Sequence, residues 1–382
     1  MNVLFDSQAF DMQTIGGVSR SFVELYSHLP KDINARIGVI ETDNVYLQNL
    51  GYPYRGYAYD HFIIKRKFPG KGRLFNLYNS LVGTNYWEDN YNINYCKKYL
   101  AKGKVDVFHP TYFKDWYLQY LGHTPFVLTI HDMIPELFPH YFREDDMQIR
   151  MKRKLVQLAS RIIAVSENTK KDIISILGVQ EDKIDVVYHG MSDCTSPFSK
   201  VSPYPEPYVL YVGDRYGYKN FKLFIESMSV VIKKHKELSV VCTGKPFSQN
   251  ESDYFDYLGI SGHIHQQFVN TDYDLINLYH HAFCFVYPSE YEGFGIPILE
   301  AYKAECPTLL NNSSCFHEIA GDAAIYFALS ESQNSFLDVF EDFYNSTEAN
   351  RLLLIEKQNR RLHKFNWEDS SKKLANVYKS VT

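Results

Sequence analysis

Six cysteines among 382 residues, none of them in a C-x-x-C pair, give no basis for a disulfide scaffold or a thiolate-held metal. No apolar run approaches the ~20 residues that a membrane-spanning helix needs. Met1 leads straight into Asn2-Val3-Leu4-Phe5-Asp6 with no basic stretch and no small-residue cleavage site, so no secretory leader is expected. Positive charge is not in excess either: 40 Lys and Arg against 45 Asp and Glu leave −5, which argues against a protein held to nucleic acid by a basic surface. The 14 histidines show no spacing with carboxylates that suits a ligand set, and no metal is expected. G-x-G-x-x-G is missing as well, which counts against a dinucleotide site. Cys242 and Cys284 fall inside apolar runs, where a reduced thiol behaves as a small hydrophobe, and a cytoplasmic protein is expected. Aromatic residues are plentiful, with 31 Tyr; tyrosines line carbohydrate sites, although most of these pack cores.

The length exceeds what one ordinary core fills, so two domains are expected. Short β-rich runs alternate with helical patterns throughout, the mark of α/β domains with parallel sheets. Six strands are predicted before residue 190, beginning near Asn2, Ala35, Val105, Pro125, Arg161 and Ile184. Six more follow, beginning near Tyr208, Leu238, Ile264, Ala282, Pro307 and Ala323. Between the sets, Cys194 to Pro207 carries four prolines, which exclude helix and central strand and mark a linker. Ser166 is placed to cap a helix carrying Ile173, Ile174 and Leu177 and ended by Gly178. The last segment, Trp367 to Val381, is amphipathic and follows the second sheet.

Chemistry concentrates in Glu292-Gly293-Phe294-Gly295-Ile296-Pro297-Ile298-Leu299-Glu300. The segment follows a buried strand and enters a helix, with Pro297 expected at the first helical position. In open α/β sheets ligands bind at such strand-to-helix turns. The N–H groups of Phe294, Gly295 and Ile296 would face an anionic or hydroxyl-rich ligand, helped by the helix dipole. Glu292 and Glu300 bracket the turn, and carboxylates accept hydrogen bonds from sugar hydroxyls. A solvated first-turn carboxylate is the plainer reading of Glu300. Arg215 and Lys219 flank the turn after the seventh strand, where a diphosphate needs cationic donors; solvated turn charges are the alternative. Gly16 and Gly17 open the first long helix and allow close backbone approach, or form a simple tight turn. His131 ends the fourth strand beside Asp132 and faces the expected cleft, while His109 and His189 fit structural roles. No Asp-x-Asp pair is read at a strand end. Lys65-Arg66-Lys67 through Arg73 is a basic run suited either to anionic lipid headgroups or to a solvated loop.

The Glu292-x7-Glu300 segment closely resembles the signature of retaining glycosyltransferases of family 4, which have the GT-B fold. The resemblance extends over nearly the whole chain and is weak across residues 41–104. It implies an α/β fold of two Rossmann-like domains with a cleft between them: 1–195 for the acceptor, 196–366 for the nucleotide sugar, and 367–382 as a helix returning to the first domain. It also implies roles: Glu292 for the donor sugar, Glu300 for the ribose, Arg215 and Lys219 for the diphosphate, Gly16 and Gly17 for the donor phosphates, and His131 at the reacting sugar. Asp132 orients His131 or meets the acceptor. Glu318, in a downstream segment that closes the nucleotide pocket, is expected to hold neighbouring loops. Glu305 departs from the family pattern by standing where a glycine usually ends a helix, and a left-handed backbone there costs ~1–2 kcal/mol. The implied activity is transfer of a hexose, first choice mannose from GDP-mannose, to a sugar hydroxyl of a growing, lipid-linked bacterial surface polysaccharide. The expected co-substrate is a nucleoside-diphosphate sugar, with no cofactor or metal. A glycan or lipid-linked glycan acceptor, peripheral contact with the inner membrane face and no nucleic-acid partner are also expected. The alternatives are another GT-B enzyme, such as a nucleotide-sugar epimerase or a phosphorylase, and a non-catalytic binding homologue.

Overall fold

A computed structural model describes residues 1–55, 68–82, 86–143, 146–191, 197–269, 271–329 and 335–382. All twelve expected strands form, each shorter overall than the run that announced it, with β2 beginning one residue earlier, at Asn34. They are β1 Asn2–Phe5, β2 Asn34–Ile37, β3 Val107–His109, β4 Val127–Ile130, β5 Arg161–Ala164 and β6 Ile184–Val186, then β7 Tyr208–Tyr211, β8 Ser239–Thr243, β9 Ile264–Gln267, β10 Cys284–Tyr287, β11 Thr308–Asn311 and β12 Ile325–Phe327. Every pairing is parallel. The second set makes one six-stranded sheet in the order β12-β11-β10-β7-β8-β9. The first set makes two three-stranded pieces, β2-β1-β3 and β4-β5-β6, joined by a single parallel bridge between Phe108 and Phe126.

Helices cover both faces of each sheet, so strand residues are apolar in succession and divide between two cores. Tyr208 and Leu210 enter one core, and Val209 and Tyr211 the other. In the first domain Val3 and Phe5 face one side of the sheet and Leu4 the opposite side. The helix Glu167–Leu177 forms as expected: the Ser166 hydroxyl accepts from the Thr169 N–H, and Gly178 ends it at φ +63°. Helix Trp367–Ser380 returns to the first domain, burying Trp367, Leu374, Ala375, Val377 and Tyr378 in the core that holds Val3 and Phe5. The return runs tightly along Gly190, where a Cβ would stand 2.4 Å from the Trp367 nitrogen.

Two local expectations are corrected or resolved here. Helix Ile296–Lys303 starts one residue earlier than read, so Pro297 is its second residue, and Gly295 at φ +88° is its N-cap. Glu305 does sit left-handed, at φ +57°. The strain is offset by two bonds closing the helix end, Glu305 N–H to Tyr302 O at 3.1 Å and Cys306 N–H to Ala301 O at 2.9 Å. Lys65, Arg66, Lys67 and Cys194, with the domain boundary expected at 195/196, lie outside the described residues.

Candidate active site in the interdomain cleft

Strand order locates the site. In the second sheet, chain order reverses between β7 and β10, and ligands of such sheets bind beyond the carboxyl ends of the strands at that point. The loops following these two strands are Val212–Tyr216 and Pro288–Gly295, the segments singled out by the sequence. The second is firmly braced. Ser314 Oγ accepts from Glu292 N–H at 3.0 Å and donates to Glu292 O at 2.7 Å, and Cys315 Sγ reaches Glu292 O and Phe294 O, both at 3.2 Å. The Gly295 and Ile296 N–H groups find no acceptor among the described residues, leaving donors at the helix amino end.

Glu292 and Lys219 meet: Nζ stands 2.5 Å from Oε1, and both side chains are mostly buried. The ammonium also lies 5.2 Å from the Tyr218 ring centre and 5.6 Å from that of Tyr287. Arg215 does not stand free beside them. Its Nε donates to Glu251 at 2.7 Å, Nη2 donates to Pro246 O at 3.1 Å, and the guanidinium covers Phe247 at 4.8 Å. The alternative of solvated turn charges is therefore excluded: Lys219 is matched by Glu292 and Arg215 by Glu251, a carboxylate at the start of the next helix but one, Gln249–Leu258.

A cleft of about 790 Å³ separates the glycine turn of the first domain from the start of helix Ile296–Lys303. Gly16, Gly17 and Arg20 line one side, and Gly244, Ile296 and Glu300 the other. Gly17 comes so near that a Cβ would lie 3.7 Å from Ile296 Cδ1. Gly16 is extended, and a Cβ there would overlap the Gln13 side chain, whose Oε1 accepts from Ser19 N–H at 3.0 Å. Glu300 is buried, with Arg20 Nη1 at 3.4 Å and the Tyr279 hydroxyl at 3.4 Å. Burial raises its pKa, and Arg20 opposes the rise. The plainer reading of Glu300 as a solvated carboxylate is thus excluded.

His131 lies behind this cleft. Its ring stacks on His189 at 5.9 Å and meets Phe22 edge-on at 5.7 Å, and Nε2 is buried without a partner among the described residues. Burial pushes its pKa down to about 4 against the pull of Asp132, so the imidazole is neutral at pH 7. Asp132 Oδ1 accepts from Ile134 N–H at 3.0 Å and lies 4.0 Å from the buried Lys152 ammonium, which pairs with Glu136 at 2.9 Å. The carboxylate thus starts the next helix instead of bonding His131. His109 is structural, held between the Tyr378 hydroxyl at 2.7 Å and Thr129 Oγ1 at 2.8 Å.

Gly293 and Phe294 serve the seam between domains. A Cβ on Gly293 would stand 1.8 Å from His131 O, and the Gly293 carbonyl accepts from Ser166 Oγ at 2.6 Å and Thr169 Oγ1 at 3.1 Å. Phe294 is buried against His189 and Phe365, so only its backbone can meet a ligand. Glu318 accepts from the Glu167 and Asn168 N–H groups at 2.6 and 2.9 Å, the loop-holding role expected of it. Tyr291 adds a hydroxyl bond to Asp172 at 2.5 Å.

Sequence reasoning missed Arg20, although it stands one helical turn beyond Gly16 and faces the same cleft. It also passed over Asp272-Tyr273-Asp274, an Asp-x-Asp triplet close beyond β9. Both carboxylates have other partners: Asp274 closes a capping box with Thr271, and Asp272 pairs with Arg20 at 3.1 Å.

Comparison with known proteins agrees with this architecture. Residues 15–193 match the model of Glycosyltransferase Family 4, and residues 195–361 match Glycosyl transferases group 1. The O-antigen chain mannosyltransferase RfbU of Salmonella typhimurium is 27% identical over 202 residues, 52% of this chain and 55% of that protein, little more than half its length. The O-antigen chain mannosyltransferase B of Escherichia coli is 26% identical over 273 residues, 66% of this chain and 70% of that protein. Among solved structures, Anabaena Alr3699/HepE in complex with UDP and glucose superposes with a TM-score of 0.70 at 17% identity, covering 100% of both chains. Sucrose-phosphate synthase from Thermosynechococcus elongatus gives 0.67 at 16%, covering 100% of this chain and 99% of that one. At such identities these structures speak for the fold alone, and that fold is GT-B.

Proposed function

We propose, for a chain that belongs to the glycosyltransferases of family 4 and group 1, that it moves mannose from GDP-mannose to a sugar hydroxyl of a growing bacterial surface polysaccharide, with retention at the anomeric carbon. The observation that carries the reading is the Lys219–Glu292 pair at the switch point, next to the helix amino end and the cleft. A carboxylate there suits sugar hydroxyls, while an ammonium and helix N–H groups suit the departing diphosphate. The route in this reading is front-face: the bond from the sugar to the diphosphate breaks as the acceptor oxygen bonds the same carbon, and the leaving diphosphate takes the acceptor proton. Neutral His131 then hydrogen-bonds the reacting sugar. The mannose choice rests on the names of the O-antigen relatives. Cationic groups at the diphosphate position support a metal-free reaction. In a panel of nucleotide sugars, GDP-mannose should release its nucleoside diphosphate fastest, and excess EDTA should leave the rate unchanged. Another preferred donor, or a rate abolished by EDTA and restored by Mn²⁺, would overturn the corresponding part.

Contact with an anionic membrane belongs to the same reading. Helix Lys71–Val82 carries Leu74, Leu77 and Leu81 at helical spacing, 47%, 60% and 77% exposed, and follows a run of cations on a chain of net charge −5. No helix among the described residues is long and apolar enough to cross a membrane. The protein should sediment with vesicles containing anionic lipid and not with neutral ones. Leu77→Glu with Leu81→Glu should abolish sedimentation while transfer to a soluble acceptor persists. Equal sedimentation of wild type and variant would assign this face to something other than lipid.

A further inference from the structure

We propose that Arg20 is a positioning residue of the donor site: from the first domain it reaches across the cleft and holds the Glu300 carboxylate in place for the ribose. Arg20 sits on helix Gly17–Ser27, whose amino end is the glycine turn, and its side chain is mostly buried. Nη1 lies 3.4 Å from Glu300 Oε1 and Nη2 lies 3.1 Å from Asp272 Oδ2, both carboxylates belonging to the second domain. The guanidinium fork therefore bridges an acid at the start of helix Asp272–His281 and one in the middle of helix Ile296–Lys303, and Asp272, largely exposed, fixes the far side of the fork. Glu300 needs such a partner. It is buried, and the other groups that bear on it are the Tyr279 hydroxyl at 3.4 Å, Asp272, which opposes its charge, and Lys303. Without Arg20 the carboxyl would lose its main cationic support, take up a proton more readily and accept hydroxyls less well. The ribose contact would then depend on both domains and not on the nucleotide domain alone.

This rests on the reading of Glu300 as the ribose acceptor, so the test compares GDP with 2′,3′-dideoxy-GDP by calorimetry on wild type, Arg20→Ala, Arg20→Lys and Glu300→Gln, each checked for an unchanged thermal transition. Wild type should prefer GDP by about tenfold, the worth of a charge-assisted hydrogen bond. Arg20→Ala should bind GDP about tenfold more weakly and dideoxy-GDP almost as wild type does, so that the preference disappears. Arg20→Lys should restore part of it, and Arg20→Ala added to Glu300→Gln should cost nothing further. In turnover, Arg20→Ala should raise donor KM and spare kcat. A wild-type preference that persists in Arg20→Ala overturns the role of Arg20 while leaving Glu300 as the ribose acceptor. No preference in wild type overturns the reading of Glu300 and the role of Arg20 with it.

Discussion

Glu292→Ala should fold normally and lose transfer, with kcat down by about 10²–10³, the range seen when one pre-placed electrostatic partner is removed from an active site. Stability survives because the Glu292 backbone is held by Ser314 and Cys315, not by its side chain. The stranded Lys219 ammonium still lies over Tyr218 and keeps access to solvent. Activity should not survive, because the proposed function places the transferred sugar beyond β10, where this carboxylate stands. Glu292→Gln keeps the shape and removes the charge, and should recover little if the carboxylate stabilises positive charge developing at the sugar. Glu300→Ala should differ in kind, raising donor KM more than it lowers kcat. Rates under saturating donor, with circular dichroism on each variant, decide the case. A folded Glu292→Ala that turns over near the wild-type rate would remove Glu292 from the chemistry.

The second sheet was legible in the sequence because a parallel strand buried on both faces is an unbroken apolar run, and Cys284-Phe285-Val286-Tyr287 can be little else. The site turn was legible for a related reason. Gly-Phe-Gly-Ile-Pro satisfies several local constraints together: a left-handed cap at Gly295, an open helix amino end and a proline in the first helical turn. Contacts made over long sequence separations were not legible. Nothing local to Arg20 announces Glu300, 280 residues away, and nothing local to Gly293 announces the His131 carbonyl that excludes any side chain there. Arg215 was half-read. Its place after β7 was correct, but its partner Glu251 lies 36 residues on, on a helix whose capping box gave no sign of the ion pair. Local pattern fixes elements and turns, whereas partner choice among charged groups is set by tertiary packing.

That distinction sets up the second large effect, on nucleoside-diphosphate affinity. Lys219→Ala should weaken GDP by about 10–100-fold, the loss of a charge-assisted hydrogen bond worth ~1.5–3 kcal/mol, and leave guanosine binding almost unchanged. The reason is geometric: Lys219 stands at the switch point with Glu292 as its one hydrogen-bond partner among the described residues, so two of its three N–H donors remain for a diphosphate. Arg215→Ala should cost less, although a guanidinium is the better phosphate ligand. To reach the ligand it must give up the 2.7 Å bond to Glu251, and exchanging one anion for another returns only the difference between them. Glu251→Gln tests this directly, since it frees Arg215 and should tighten GDP several-fold without altering guanosine. If Arg215→Ala and Glu251→Gln instead weaken GDP and guanosine equally, Arg215 braces the Thr243–Phe247 loop and holds no phosphate. Turnover should fall further than GDP affinity in Lys219→Ala, because the leaving group carries more charge in the transition state than in the bound donor. Equal falls would limit Lys219 to ground-state binding.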